Sequence, residues 1–293
     1  MKKLKGIITA MVTPFHEDES LDLVSAKKMA RWLVSKGVHG LFIAGTNGEF
    51  HLLTDDEKVE LTKAIVEEVG GEIVICAGSG CCSTMQTINL TRRLVDAGAD
   101  YISVVTPYYL VPTQEDLYLH YKAIADQTEA KIILYNIPGQ TGINIEPKIV
   151  DKLAELPNIV AIKDSSGNFE NQKEYIKISK HKDFMVLNGS DSLMLDAFKA
   201  GAVASVAATS NVLPDIEVKL YDEYLKGDLV KAQEQRNKID LLRMNLKKCV
   251  APSVMKATLN LMGIQAGITR KPISMPKDEV INDIKNMIKA YDL

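Results

Sequence analysis

Short, β-rich apolar runs alternate along the chain with longer amphipathic stretches. The runs are Gly6–Val12, Gly40–Ala44, Glu72–Ala77, Tyr101–Val105, Lys131–Tyr135, Ile159–Lys163, Phe184–Leu187 and Val203–Ala207. Successive starts lie about 20 to 35 residues apart, the repeat of one strand, one helix and two loops. Each run is apolar throughout rather than at every second position, as a strand must be when both faces of a parallel sheet are buried. Between the runs, Leu23–Lys36, Asp55–Val69, Thr84–Ala97 and Gln114–Gln127 place apolar residues at the helical period. Eight such units in series predict an α/β protein built as a (β/α)8 TIM barrel rather than an open doubly wound sheet.

Helix punctuation supports this assignment. Thr54-Asp55-Asp56-Glu57 reads as a capping box opening the helix after the second strand. Gly37, Gly98 and Gly201 each follow a helical run and precede a strand, the position where a helix ends in left-handed backbone. After the eighth strand about 80 residues remain, more than one closing helix needs. Their period predicts helices over Ile216–Leu225, Leu229–Lys248, Ser253–Leu261 and Lys277–Tyr291. The expected organisation is a catalytic barrel over residues 1–212 and a C-terminal helical appendage over 213–293, packed together without a low-complexity linker.

Composition narrows the functional classes. The 293 residues suit one large barrel, and 46% hydrophobic residues can fill its core. Counting 35 Lys+Arg against 38 Asp+Glu leaves a formal charge of -3, so no basic field points to nucleic acid or an anionic membrane. No apolar run approaches the roughly 20 residues of a bilayer span, and no cleavable leader is visible, so a cytoplasmic enzyme is expected. Cys76, Cys81, Cys82 and Cys249 lack zinc-finger spacing and are expected to be free thiols.

In such a barrel, chemistry sits at the C-terminal ends of the strands and in the loops that follow them. Those positions are rich in hydroxyls and glycines and contain one lysine, Lys163, at the end of the sixth strand. An amine emerging in the barrel mouth is desolvated, which disfavours its charged form and suits an imine-forming nucleophile. The alternative is a structural lysine paired with Asp164. Tyr135 ends the neighbouring strand, where a phenol can relay protons or simply meet water. Thr46 lies in the Gly45-Thr46-Asn47-Gly48 loop, whose amides and hydroxyl can hold a carboxylate, although Asn-Gly is also a common turn. Glu49 reads equally as an acid/base or as a structural carboxylate. His16, His39, His51, His120 and His181 are dispersed, so neither a metal site nor a Ser-His-Asp triad has support.

Taken in order, Thr9–Phe15, Gly45–Glu49, Thr106–Tyr109, Tyr135–Gly142, Lys163–Ser166 and Gly189 resemble the dihydrodipicolinate synthase / N-acetylneuraminate lyase family of class I, Schiff-base-forming aldolases. The resemblance runs essentially end to end. It implies that Lys163 forms the imine with pyruvate or another 2-oxo acid and that Tyr135 carries protons. It further implies that Thr46 and the Asn47 amide hold the substrate carboxylate, that Tyr109 reaches a neighbouring subunit's site, and that the backbone carbonyl of Val206 faces the lysine. The implied assembly is a homotetramer, a dimer of dimers, needing no metal or organic cofactor.

Departures from the family pattern bear on the substrate. Where the synthases carry an arginine for the aldehyde's carboxylate, this chain has Gln140, a neutral amide without the charged bidentate fork. Phe50-His51 and Cys81-Cys82 replace the small and amide residues of lysine-regulated synthases, so lysine feedback is not expected. Gly189 and Ser190, within Asn188–Ser192, partly resemble the lyase motif that binds sugar hydroxyls. The favoured reading is an aldolase for a 2-oxo-3-deoxy sugar acid or a 4-hydroxy-2-oxo acid. The alternative is the synthase reaction, condensation of pyruvate with aspartate semialdehyde. A sugar-acid dehydratase and a non-catalytic 2-oxo-acid binding protein rank below both.

Overall fold

A computed structural model describes residues 2–293. Eight strands close into a barrel in chain order: β1 (Gly6–Ala10), β2 (Gly40–Ile43), β3 (Val74–Gly78), β4 (Tyr101–Val105), β5 (Ile132–Asn136), β6 (Ile159–Asp164), β7 (Met185–Asn188) and β8 (Ala204–Ala207). Every neighbouring pair is parallel, including the closing pair β1–β8. The period of two along each strand divides the apolar side chains between two cores. Ile8, Phe42, Cys76, Ile133, Ala161 and Val206 point inward and fill the barrel. Leu41, Ile75, Ile102, Leu134 and Ile162 point outward against the helices. Continuous apolar runs are therefore what this sheet requires.

The C-terminal helices add Val254, Met255, Leu259, Ile284 and Met287 to the same outer core, so the appendage and the barrel share one buried apolar cluster. Thr54 and Glu57 form the capping box expected from the sequence, and Gly37 and Gly98 have positive φ of 82° and 94° at helix ends. Among the described residues no helix is long and apolar enough to cross a membrane.

Element ends depart from the sequence expectations for local reasons. β1 stops at Ala10 because the Val12 N–H donates to the Asn211 side chain at 3.1 Å instead of to a strand. Glu72 lies outside β3 because its N–H returns to the Val69 carbonyl in the turn that ends the preceding helix. The run expected as one helix over Leu229–Lys248 is two, Leu229–Lys238 and Asp240–Leu246. The Tyr291 hydroxyl enters the helical ladder there, accepting from Leu242 N at 3.0 Å and donating to the Lys238 carbonyl at 2.5 Å. Those two backbone groups are four residues apart, the spacing that a continuous helix would have joined directly.

Candidate active site

β6 carries Lys163 on its inward face, in register with Tyr135 of β5 and Leu187 of β7. The side chain is 4% exposed. Its Nζ lies 3.9 Å from the centre of the Tyr135 ring and 4.4 Å from that of Phe42, and the two rings meet edge to face at 87°. Two aromatic faces attract a cation by about 0.5–2 kcal/mol each, which offsets part of the cost of its burial. Among the described residues no carboxylate lies within 4.0 Å of Lys163 Nζ. The structural alternative, a pair with Asp164, fails on strand geometry. Adjacent residues face opposite sides of a strand, and Asp164 accepts from Asn136 Nδ2 (2.9 Å), Ser166 N (3.1 Å) and Ser166 Oγ (3.0 Å). Burial pushes the Asp164 carboxyl up, and these hydrogen bonds oppose the shift.

The loop after β2 brings the second group. Thr46 Oγ1 and the Tyr135 hydroxyl are 3.1 Å apart. The loop is a tight turn in which Glu49 N donates to the Thr46 carbonyl (3.1 Å) and Phe50 N to the Gly45 carbonyl (3.2 Å). Thr13 Oγ1 donates to the Gly48 carbonyl at 2.7 Å, tying the turn to the loop after β1. Half-buried Asn47 sits at the apex of this turn.

Gly189 follows β7, and its N–H donates to the Asp164 carbonyl at 2.8 Å. A Cβ at this position would lie 2.1 Å from Ser165 Oγ and 3.1 Å from Lys163 Cε, so only glycine leaves the lysine its path. Val206 of β8 is buried inside the barrel. Ser190 bonds within its own loop, its Oγ 3.0 Å from Ser192 Oγ. Asp191 accepts from Ala208 N and Thr209 N and so braces the loop after β8. Gln140 lies exposed in the short helix Pro138–Thr141, at the rim just beyond Tyr135. Tyr109 is not brought to the site within the chain: it is 91% exposed, with left-handed backbone at φ 79°.

Two features went unread in the sequence. Phe42 forms one wall around the lysine but looked like an ordinary strand residue. Lys256 is the one charge in the helix Ala251–Leu261, a signal that could have been noticed. It is fully buried, as is Glu49, and its Nζ lies 2.6 Å from Glu49 Oε1. Burial pulls the Lys256 ammonium down to about 8, with the Glu49 carboxylate opposing. Of the two readings of Glu49, the structural one describes what it touches. Phe50, His51, Cys81 and Cys82, together with Tyr108, line a cavity of about 390 Å³, and Phe50 also borders the space beside Tyr135. Burial first, and then Cys82, pushes the Tyr108 phenol up to about 12. All four cysteines are unpaired.

Comparison with known proteins gives one consistent result. Residues 3–291 match the Dihydrodipicolinate synthetase family. A 4-hydroxy-tetrahydrodipicolinate synthase of Desulforamulus reducens is 38% identical over 288 residues, covering 98% of this chain and 97% of its own. The chloride-inhibited dihydrodipicolinate synthase of Acinetobacter baumannii, solved with pyruvate, superposes with a TM-score of 0.94 at 34% identity, covering 98% of each chain. A dihydrodipicolinate synthase variant described as the first monomeric one superposes with a TM-score of 0.95 at 35% identity, covering 99% of this chain and 97% of its own. These relatives carry the name of the reaction ranked second from the sequence, and they favour it over the sugar-acid aldolase.

Proposed function

The chain belongs to the dihydrodipicolinate synthetase family of pyruvate-dependent Schiff-base lyases, and we propose that Lys163 is the amine on which it forms its imine. The observation that carries this reading is the lysine itself, 4% exposed and packed between two rings with no carboxylate beside it. Its neutral amine adds to the keto carbon of pyruvate, and loss of water gives the imine. A base then takes a C3 proton while the protonated imine accepts the electrons of that C–H bond. The enamine carbon so formed adds to an aldehyde carbonyl, whose oxygen takes up a proton. Thr46 and the Asn47 amide hold the pyruvate carboxylate. Tyr135, 3.1 Å from Thr46 Oγ1, passes protons to and from the imine nitrogen and its carbinolamine precursor. Gly189 leaves room for the lysine, and the Val206 carbonyl faces it from β8.

The names of the relatives make aspartate semialdehyde the first choice of aldehyde. This reverses the order of preference read from the sequence. One observation keeps the aldolase for a 2-oxo-3-deoxy sugar acid or 4-hydroxy-2-oxo acid as a second reading. Gln140 offers a neutral, exposed amide at the rim where a guanidinium would pair with a second carboxylate. Ser190, on the same rim, would be a contact for the acceptor in either case. The assembly we propose is a homotetramer in the cytoplasm, in which Tyr109 completes a partner's site. The exposed run Tyr109, Leu110 and Val111 (91%, 77% and 59%) supports such a contact.

Incubation with pyruvate followed by borohydride should add a reduced pyruvyl group to Lys163, read by peptide mass. An adduct confined to other lysines, or none, would overturn the proposal. Coupled turnover with aspartate semialdehyde, set against pyruvate release from a panel of 2-oxo acids, decides between the two aldehyde classes.

A further inference from the structure

Glu49 ends the turn that presents Thr46, and its backbone is left-handed at φ 55°. Its carboxylate reaches away from the barrel mouth to the C-terminal region. Oε1 lies 2.6 Å from Lys256 Nζ, and Oε2 accepts from Arg270 N at 3.0 Å. Lys256 and Glu49 thus form a close, fully buried ion pair. Lys256 Nζ also donates to the Ile268 carbonyl at 2.6 Å and lies 4.3 Å from the centre of the Phe15 ring. Arg270 covers that ring as well, at 4.3 Å, so one aromatic side chain from the loop after β1 is shared by two cations.

The Arg270 side chain extends the grip. It donates to both oxygens of Glu57 at 2.7 and 2.9 Å, to the Leu52 carbonyl at 2.7 Å and to the Glu19 carbonyl at 2.6 Å. Glu57 is also the reciprocal member of the capping box that follows the Thr46 turn. The turn is therefore held at both ends of its onward path, first by a buried ion pair and then by a bidentate arginine. Neither cation belongs to the barrel, and neither touches the lysine that does the chemistry.

We infer that Lys256 and Arg270 are positioning residues for substrate binding: through Glu49 and Glu57, the C-terminal region fixes the Thr46 turn against Tyr135. The inference rests on the reading of Thr46 as a holder of the pyruvate carboxylate. Its physical basis is that a buried carboxylate with its cation removed must move toward water or take up a proton. Movement toward water pulls on the turn, because Glu49 N is bonded to the Thr46 carbonyl at 3.1 Å.

The test compares Lys256→Met, Glu49→Gln, the double variant Glu49→Gln/Lys256→Met, and Thr46→Ala. The readouts are KM for pyruvate, kcat, and the rate at which borohydride traps Lys163. Trapping is run with pyruvate and with acetone, a ketone that has no carboxylate. Lys256→Met should raise KM for pyruvate about tenfold or more with a smaller change in kcat, and should slow pyruvate trapping but not acetone trapping. The double variant, which buries no lone charge, should recover part of the pyruvate KM. If Lys256→Met does not fold, the double variant compared with Glu49→Gln alone carries the same measurement. Equal slowing with both ketones, or an unchanged KM, would overturn the inference. If Thr46→Ala leaves KM unchanged, the carboxylate reading of Thr46 fails instead; if Thr46→Ala raises it and Lys256→Met does not, only the positioning role falls.

Discussion

Gly189→Ala tests how tightly Lys163, the lysine proposed to form the imine, is confined. The added Cβ would lie 2.1 Å from Ser165 Oγ, 3.1 Å from the Asp164 carbonyl oxygen and 3.1 Å from Lys163 Cε. The hydroxyl can rotate away, at the loss of its 3.2 Å hydrogen bond to the Gly189 carbonyl, worth about 1 kcal/mol. The backbone cannot easily retreat, because Gly189 N donates to the Asp164 carbonyl at 2.8 Å. What remains is for the lysine chain to give way, at a total packing cost of about 1–3 kcal/mol. A large barrel tolerates that loss, but the reaction does not. Displacing a reacting amine by a fraction of an ångström to 1 Å costs on the order of a hundredfold in rate, or about 2.7 kcal/mol in the barrier. The assay follows thermal denaturation, kcat/KM for pyruvate and the rate of borohydride trapping in Gly189→Ala and in Gly189→Ala/Ser165→Gly. The second variant removes the hydroxyl clash and should recover stability but not activity. A folded Gly189→Ala protein with trapping and kcat/KM within about threefold of the parent would refute the reasoning.

Tyr135→Phe removes the hydroxyl 3.1 Å from Thr46 Oγ1; kcat should fall by about 10²–10⁴ while stability changes by about 1 kcal/mol, and undiminished turnover would remove Tyr135 from the proton path. Burial pulls the His120 imidazole down to about 4, with Thr84 Oγ1 2.9 Å from its Nδ1. The unfolded chain then binds this proton before the folded one, so stability falls as pH drops from about 6.5 towards 4, by on the order of 3 kcal/mol. Denaturant midpoints for the parent and His120→Gln at pH 7 and pH 4.5 check this; an equal acid loss in both would contradict it. Leu110→Asp places a charge in the exposed run beside Tyr109 and should shift the sedimenting species to smaller size with a fall in kcat, whereas an unchanged assembly would place the subunit contact elsewhere.

The barrel was legible because its strands are buried on both faces and its helices on one, two patterns that differ along the chain. Lys163 and Tyr135 were legible because a single lysine and a tyrosine at strand ends stand out against hydroxyls and glycines. Their alignment, residue against residue across β5 and β6, was not legible, because it depends on a one-residue shift of register between Ile132 and Ile133. The walls were not legible, since Phe42 has the same residue type inside the barrel as it would have outside. Nor was the tie between Glu49 and Lys256, because two charges far apart in the chain carry no mark of their pairing. The break near Ile239 was hidden for the same reason: the hydroxyl that causes it belongs to Tyr291, while the local sequence remains helical. The choice between the synthase and the sugar-acid aldolase turned on Gln140 and on the partial lyase motif at Asn188–Ser192, and a few rim residues weigh less than the similarity of the whole chain.

The hydrogen bond from Arg270 N to Glu49 joins residues separated by 221 positions. A ribosome adding about 5–20 residues each second needs roughly ten to forty seconds to cover that distance. During that interval a nascent chain acquires the β strands and the lysine while the residues that will clasp the turn do not yet exist. Lys163 and the residues that clasp the Thr46 turn thus leave the ribosome at different moments, the second only with the last part of the message to be translated.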